Sequence, residues 1–148
     1  MNPRTWIVLA DAATARVYEP QASGRDWKMI VELTDPKARA KESELGRDKP
    51  GRVRQSTGSR AAMERPTPRK QVEVEHFARQ IAKALDDALV RKAYDYLVLA
   101  APPEFVGILR PLLPRRVEEH ITAVVERDYL HLDPPEARQR LEKQLEAR

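Results

Sequence analysis

The fold is decided by residues 5–19, TWIVLADAATARVYE. The run Thr5–Asp11 is apolar along nearly its whole length and has the size of a strand, so it predicts a strand buried in a sheet. A second strand, Thr14–Glu19, follows after a very short connection, and we expect the two to pair as a hairpin. Asp11, at the end of the first strand, is expected to be a turn or cap residue.

Working outward, the next segment predicts a third strand. Residues 26–34 alternate between apolar and polar side chains, and a period of two indicates a strand with one buried face. The residues expected on that face are Trp27, Met29, Val31 and Leu33. The chain therefore begins with a three-stranded antiparallel meander.

The pattern changes to a helical period after residue 70. Apolar side chains recur at steps of three and four residues, which predicts a long amphipathic helix. The positions are Val74, Phe77, Ile81, Leu85 and Ala88. Thr67 is expected to cap this helix, and Pro68 suits its first position.

Two further strands and two further helices follow. Tyr94–Pro102 and His120–Arg127 read as strands, with a short helix between them. Asp133, followed by Pro134 and by Glu136, predicts the capped start of a last helix. The order of elements is β-β-β-α-β-α-β-α. Three antiparallel strands followed by two right-handed crossovers predict a single α/β domain, residues 1–148, with a mixed five-stranded sheet and flanking helices. This order is similar to the ribonuclease H-like architecture and to the middle domain of eukaryotic and archaeal class-1 release factors.

A basic segment interrupts this alternation of elements. Residues 35–70 carry eleven Lys or Arg against five Asp or Glu, a net charge of +6, whereas the remainder carries sixteen against eighteen, a net charge of −2. The segment contains few large apolar residues, and we interpret it as a long basic loop inserted between the third strand and the long helix. Localised positive charge is typical of a surface that binds phosphate groups.

Several kinds of site are disfavoured by the composition. The chain has no Cys, which excludes disulfides, thiolate metal sites and Cys nucleophiles. A two-metal nuclease needs a carboxylate near the end of the fourth strand to join Asp11, and that strand ends Ala100-Ala101-Pro102-Pro103 without one. We therefore expect no cofactor, and no metal at Asp11. The first apolar run is too short for a signal peptide or a membrane span, so we expect a cytoplasmic protein.

The ordered stretches WIVLADAATARVYE, KARAKESELGRDKPGRVRQSTGSRAAMERP, FARQIAKAL, DYLVLAAPPEFVGILR and ERDYLHLDP together resemble the bacterial host attachment protein family. That family is in turn similar to the release-factor middle domain and its relatives. By that likeness, the loop before the long helix occupies the place of the Gly-Gly-Gln tip of release factors. This chain has no Gly-Gly-Gln there, which argues against catalysis.

We expect the basic loop to be the working surface and to bind tRNA or ribosomal RNA in a translation-related, non-catalytic role. The residues expected to contact RNA are Arg52, Arg54, Gln55, Ser56, Gly58 and Arg60, the arginines through phosphates and the small residues through close approach. One alternative is a protein-interaction factor linked to host-cell attachment. Another is a degenerate peptidyl-tRNA hydrolase that uses Asp11 or Gln55.

Overall fold

The computed structural model describes residues 3–22, 26–35 and 68–147. Within these ranges the first three strands form the expected meander. They are β1, Thr5–Ala10; β2, Thr14–Pro20; and β3, Trp27–Thr34. The predicted helix cap at Thr67 lies outside the described residues.

The turn between β1 and β2 is closed by Asp11. Its carboxylate Oδ1 accepts the backbone N–H groups of Ala13 at 2.9 Å and of Thr14 at 2.8 Å. A side chain that satisfies the N–H groups two and three residues ahead stabilises a tight turn. The predicted turn role of Asp11 is therefore confirmed.

The second half of the chain supplies the helices and two further strands. In chain order these are α1, Pro68–Val90; β4, Tyr96–Ala100; α2, Pro103–Leu109; a 3-10 turn, Arg110–Leu112; α3, Arg115–Glu118; β5, Ile121–Val125; and α4, Pro134–Glu146. The short helix α3 was not expected from the sequence, because a single helical turn leaves no periodic pattern to detect.

The five strands form one mixed sheet in the order β3-β2-β1-β4-β5. β4 is parallel to β1, with Thr5 opposite Tyr96, and β5 is parallel to β4. β2 is antiparallel to both of its neighbours. The prediction of an α/β fold with a mixed five-stranded sheet is confirmed. The central position of β1 explains its continuous apolar run, because such a strand is buried on both faces.

Helices cover both faces of the sheet. On one face, Phe77 and Ile81 of α1 share a core with Trp6 and Val8, together with residues of α2 and α3. On the other face, Leu141 of α4 packs in a smaller core that includes residues of β1, β2, β4 and β5. The helical pattern read from the sequence of α1 is therefore its buried face.

The prediction that β3 buries a single face is wrong, because the β2–β3 ladder contains a bulge. Tyr18 pairs with Met29, whereas the neighbouring residue Val17 pairs with Val31. Ile30 is the extra residue between these two pairs. An extra residue shifts the register by one, which moves the side chains before and after it to opposite faces.

The consequence is visible in the packing of β3. Trp27 packs in the core on the α4 side of the sheet, whereas Val31 and Leu33 pack in the core on the α1 side. Met29 is 50% exposed and Ile30 is 36% exposed, so neither is a core residue. The bulge therefore leaves two large apolar side chains at an edge of the sheet.

The expected capping box of the last helix is also corrected. Asp133 does occupy the N-cap of α4, but its side chain makes no capping hydrogen bond. Pro134 and Pro135 fill the first two helical positions, and neither has an N–H group to offer. The prolines fix the start of this helix through their backbone angles instead.

Candidate functional site

The site residues predicted from the sequence lie outside the described part of the chain. They are Arg52, Arg54, Gln55, Ser56, Gly58 and Arg60, all of which belong to residues 36–67. Their assignment stays a prediction. Among the described residues, no group of three or more His, Asp or Glu side chains is arranged to hold a metal ion.

The described residues form an apolar cleft between β3 and the second half of α1. Its volume is about 350 Å³. The floor and one wall come from the sheet, through Trp6, Val17 and the bulged segment of β3. The other wall is α1, which contributes Ala84 and Ala88. We call this feature the β3–α1 cleft.

Charge is confined to the rim of the β3–α1 cleft, where Asp87 and Arg91 are the charged lining residues. Asp87 Oδ2 lies 3.0 Å from Lys83 Nζ, four residues earlier on the same helix. Arg91 is exposed and makes no ion pair with any residue that the structure describes. An apolar centre with a polar rim is the usual layout of a protein-binding surface.

Within residues 3–22, 26–35 and 68–147, no helix extends over this edge of the sheet, so the described residues leave the cleft open. Val31 and Leu33 of β3 are only partly buried, although they pack on the same face that α1 covers further in. A sheet face in an α/β protein is normally covered by helices. Among the described residues, no helix covers the part of this face that belongs to β3.

The floor of the β3–α1 cleft is held firmly. The ring of Trp6 lies 4.9 Å from that of Tyr94, measured between centroids, and its indole Nε1 donates to Glu19 Oε1 at 3.1 Å. The Tyr94 hydroxyl donates to the Leu85 carbonyl oxygen at 2.8 Å. Burial, with a smaller contribution from the Asp86 carboxylate, raises the pKa of Tyr94 to about 12.

The α1 wall is tied to α3 by an ion pair. Arg116 donates from Nε to Asp86 Oδ1 at 2.6 Å and from a terminal nitrogen to Oδ2 at 2.9 Å. These hydrogen bonds lower the pKa of Asp86 below its ordinary value. The two-pronged geometry fixes the direction of the side chains as well as their distance, so it helps to hold α1 in position.

The sequence reading missed this cleft, although a signal was present. Met29, Ile30 and Val31 are three consecutive apolar residues, which breaks the alternation expected of a regular strand. Such a break is consistent with a bulge, and a bulge next to a sheet edge is frequently placed beside a functional surface. The contribution of α1 had no separate signal, because Ala84 and Ala88 fit the ordinary pattern of a buried helix face.

A comparison with protein families identifies the chain. The family described as "protein required for attachment to host cells" matches residues 6–141. The chain belongs to this family. No curated protein matches it.

Membership in the host attachment family corrects part of the sequence interpretation. The predicted RNA-binding, tRNA, ribosome and release-factor assignments are overturned, because the family is described by attachment to host cells and not by RNA or translation. The resemblance to the host attachment family itself is confirmed.

Within the described ranges, every helix falls short of the length and apolar character needed to cross a bilayer.

Proposed function

We propose that the chain acts in attachment as a protein-binding domain, and that its β3–α1 cleft receives an apolar segment of a partner protein. The observation that carries this proposal is the apolar cleft that no described helix covers, lined in part by Ile30, an exposed residue of the sheet edge. Large exposed apolar side chains that adjoin an apolar concavity are typical of interaction surfaces.

The shape of the cleft favours a helix over an added strand. A strand docked on β3 would need a regular row of backbone N–H and C=O groups, and the bulge at Ile30 interrupts that row. A helix needs no such row. Ala84 is partly exposed on α1, and its small side chain lets a neighbouring helix approach closely.

The rim gives the expected chemistry of this partner helix. Arg91 has no ion-pair partner among the described residues and stands beside the apolar lining. A carboxylate on the docking helix would pair with it at the edge of the interface. The partner is therefore an amphipathic helix with an apolar stripe flanked by Asp or Glu.

An attachment assay tests this function. Bacteria that carry Ile30→Glu in place of the parent chain should attach to host cells about tenfold less well or worse, because a charge at the centre of an apolar interface weakens binding by at least that factor. Arg91→Glu should give a smaller loss, because Arg91 lies at the rim.

The matched control is Val72→Glu. Val72 is 64% exposed on α1 and does not line the cleft, so this variant introduces the same charge at an exposed apolar position elsewhere. It should attach as the parent does. Equal attachment by Ile30→Glu and the parent, at equal protein levels, would contradict the proposal.

For the fold, we propose the ribonuclease H-like type. The strand order β3-β2-β1-β4-β5 supports it, as does the arrangement in which β2, among the described strands, runs opposite to the rest. An experimental structure superposed on proteins of that type is the measurement that decides it.

A further inference from the structure

A second concave surface lies at the amino ends of the neighbouring strands β1, β4 and β5. Its volume is about 800 Å³, and it shares no lining residue with the β3–α1 cleft. The side chains that matter are Arg4, Lys92, Asp95, Tyr96 and His120. We call this surface the amino-end groove.

His120 has a fixed orientation in the amino-end groove. Its Nδ1 lies 2.7 Å from the backbone carbonyl oxygen of Asp95, and its ring meets the Tyr94 ring edge to face, with centroids 6.5 Å apart. A carbonyl oxygen only accepts, so Nδ1 must carry a proton. In the neutral ring, Nε2 therefore keeps its lone pair. Among the described residues nothing donates to Nε2, which makes it an oriented acceptor.

Lys92, which lines the groove, has an unfavourable backbone conformation. Its φ of 60° is the single positive φ of a non-glycine residue in the described part of the chain. It lies two residues after the end of α1. Its N–H donates to the carbonyl oxygen of Leu89 at 2.9 Å, and the N–H of Ala93 donates to the carbonyl oxygen of Ala88 at 2.9 Å. This arrangement of bonds ends many helices and normally has glycine where Lys92 stands.

A lysine at that position is costlier than glycine, so a role for its side chain explains its presence. The Lys92 side chain lines the amino-end groove and forms no ion pair with the other described residues. Its ammonium group therefore has all of its donor capacity available to a ligand.

The charges of the amino-end groove are balanced. The Arg4 guanidinium lies 3.0 Å from the Glu19 carboxylate, and Glu119 lies 3.6 Å from Arg115. This leaves one cation, Lys92, and one anion, the Asp95 carboxylate, which accepts the backbone N–H of Arg4 at 2.7 Å. Such a balance favours a neutral ligand over an anion.

The available groups match a sugar. A hydroxyl both donates and accepts, so adjacent hydroxyls can accept from Lys92 and donate to Asp95 and to His120 Nε2. Tyr96 is 46% exposed beside them, and its ring is a flat apolar surface of the kind that packs against the C–H face of a sugar ring. We propose that the amino-end groove binds a neutral sugar, at a site separate from the protein-binding cleft.

The test is a titration of the full chain followed by NMR. Glucose, galactose, mannose and N-acetylglucosamine are added separately, and inorganic phosphate is added as the anionic comparison. At least one sugar should shift the signals of His120 and Tyr96 in a saturable way, with a Kd of about 1 mM, as expected for a ligand of this size. Phosphate should bind more weakly.

Two substitutions separate binding from folding. Lys92→Gly should raise the unfolding temperature, because glycine relieves the positive φ, and should weaken sugar binding about tenfold. Tyr96→Ala should abolish binding, whereas Tyr96→Phe, which keeps the ring, should retain most of it. Ile30→Glu, in the β3–α1 cleft, should bind sugar as the parent does.

Three results would overturn the proposal. The first is that none of the four sugars shifts the groove signals. The second is that phosphate binds there more tightly than any of the sugars. The third is that Lys92→Gly binds sugar with the parent's affinity.

Discussion

The ring of Trp27 packs against that of Tyr18, with centroids 5.4 Å apart, on the face of the sheet that α4 covers. Only four residues further on, Val31 packs on the opposite face, beneath α1. A regular strand would bring both side chains to one face, so the bulge at Ile30 separates them. That same bulge exposes Ile30 beside the β3–α1 cleft. The packing of one tryptophan and the opening of the candidate site therefore have a common cause.

The position of Trp27 predicts its contribution to stability. Trp27→Ala should lower the free energy of unfolding by about 1–3 kcal/mol, because the half-buried ring is lost from the α4-side core. Met29→Ala should change it by less than about 0.5 kcal/mol, because Met29 is half exposed. Urea denaturation measures both. Equal losses in the two variants would contradict the exposed position of Met29 and the packing of Trp27 in that core.

The turn at Asp11 predicts a difference between two substitutions. Asp11→Ala should destabilise the chain by about 1–2 kcal/mol, because the N–H groups of Ala13 and Thr14 lose their acceptor. Asp11→Asn should cost less, because the amide oxygen accepts the same bonds. Urea denaturation with and without Mg²⁺ checks this. If Asp11 instead bound a metal ion, Mg²⁺ would stabilise the parent, and Asp11→Ala and Asp11→Asn would both lose that stabilisation.

The raised pKa of Tyr94 predicts a loss of stability in alkali. An unfolded tyrosine ionises near pH 10, whereas burial raises the pKa of Tyr94 to about 12 in the folded chain. The unfolded state therefore releases this proton first as the pH rises. The stability linked to Tyr94 is complete below about pH 10 and is lost as the pH approaches about 12.

Unfolding midpoints measured across that range test the assignment. The midpoint of Tyr94→Phe should fall less steeply with pH than that of the parent, because phenylalanine cannot ionise. Tyr96→Phe is the control, since Tyr96 is 46% exposed and only two residues away. Parallel curves for the parent and Tyr94→Phe would rule out this origin of the alkaline loss.

The sequence was sufficient for the sheet and the long helices, because their signals are local. The apolar run of β1 and the helical period of Phe77, Ile81 and Leu85 each point to one kind of element. Two features resisted prediction for physical reasons. The bulge depends on which residues of β2 face β3, and the positive φ of Lys92 falls on a residue type that does not mark helix ends.

The β3–α1 cleft could not be predicted from the sequence, because it is a space between two elements and not a property of either one. Ala84 and Ala88 look like ordinary core positions of a helix, and only the place of α1 across the sheet decides that Ala84 borders an opening. The lysines and arginines of the basic loop, by contrast, were conspicuous in the sequence, and all of them except Arg69 and Lys70, which belong to α1, lie outside the described residues. Charge is easy to find in a sequence, whereas an uncovered apolar face requires the tertiary arrangement.

The most direct test of the protein-binding account is site-specific photo-crosslinking in the living bacterium. A photoreactive amino acid is placed at position 30, in the β3–α1 cleft, and at position 72, the matched exposed position on α1. We predict one discrete protein adduct from position 30, weakened by Arg91→Glu and absent from position 72, with the crosslinked peptide of the partner forming an amphipathic helix. Crosslinking at position 30 that yields no protein adduct, or the same adducts as position 72, would contradict the account.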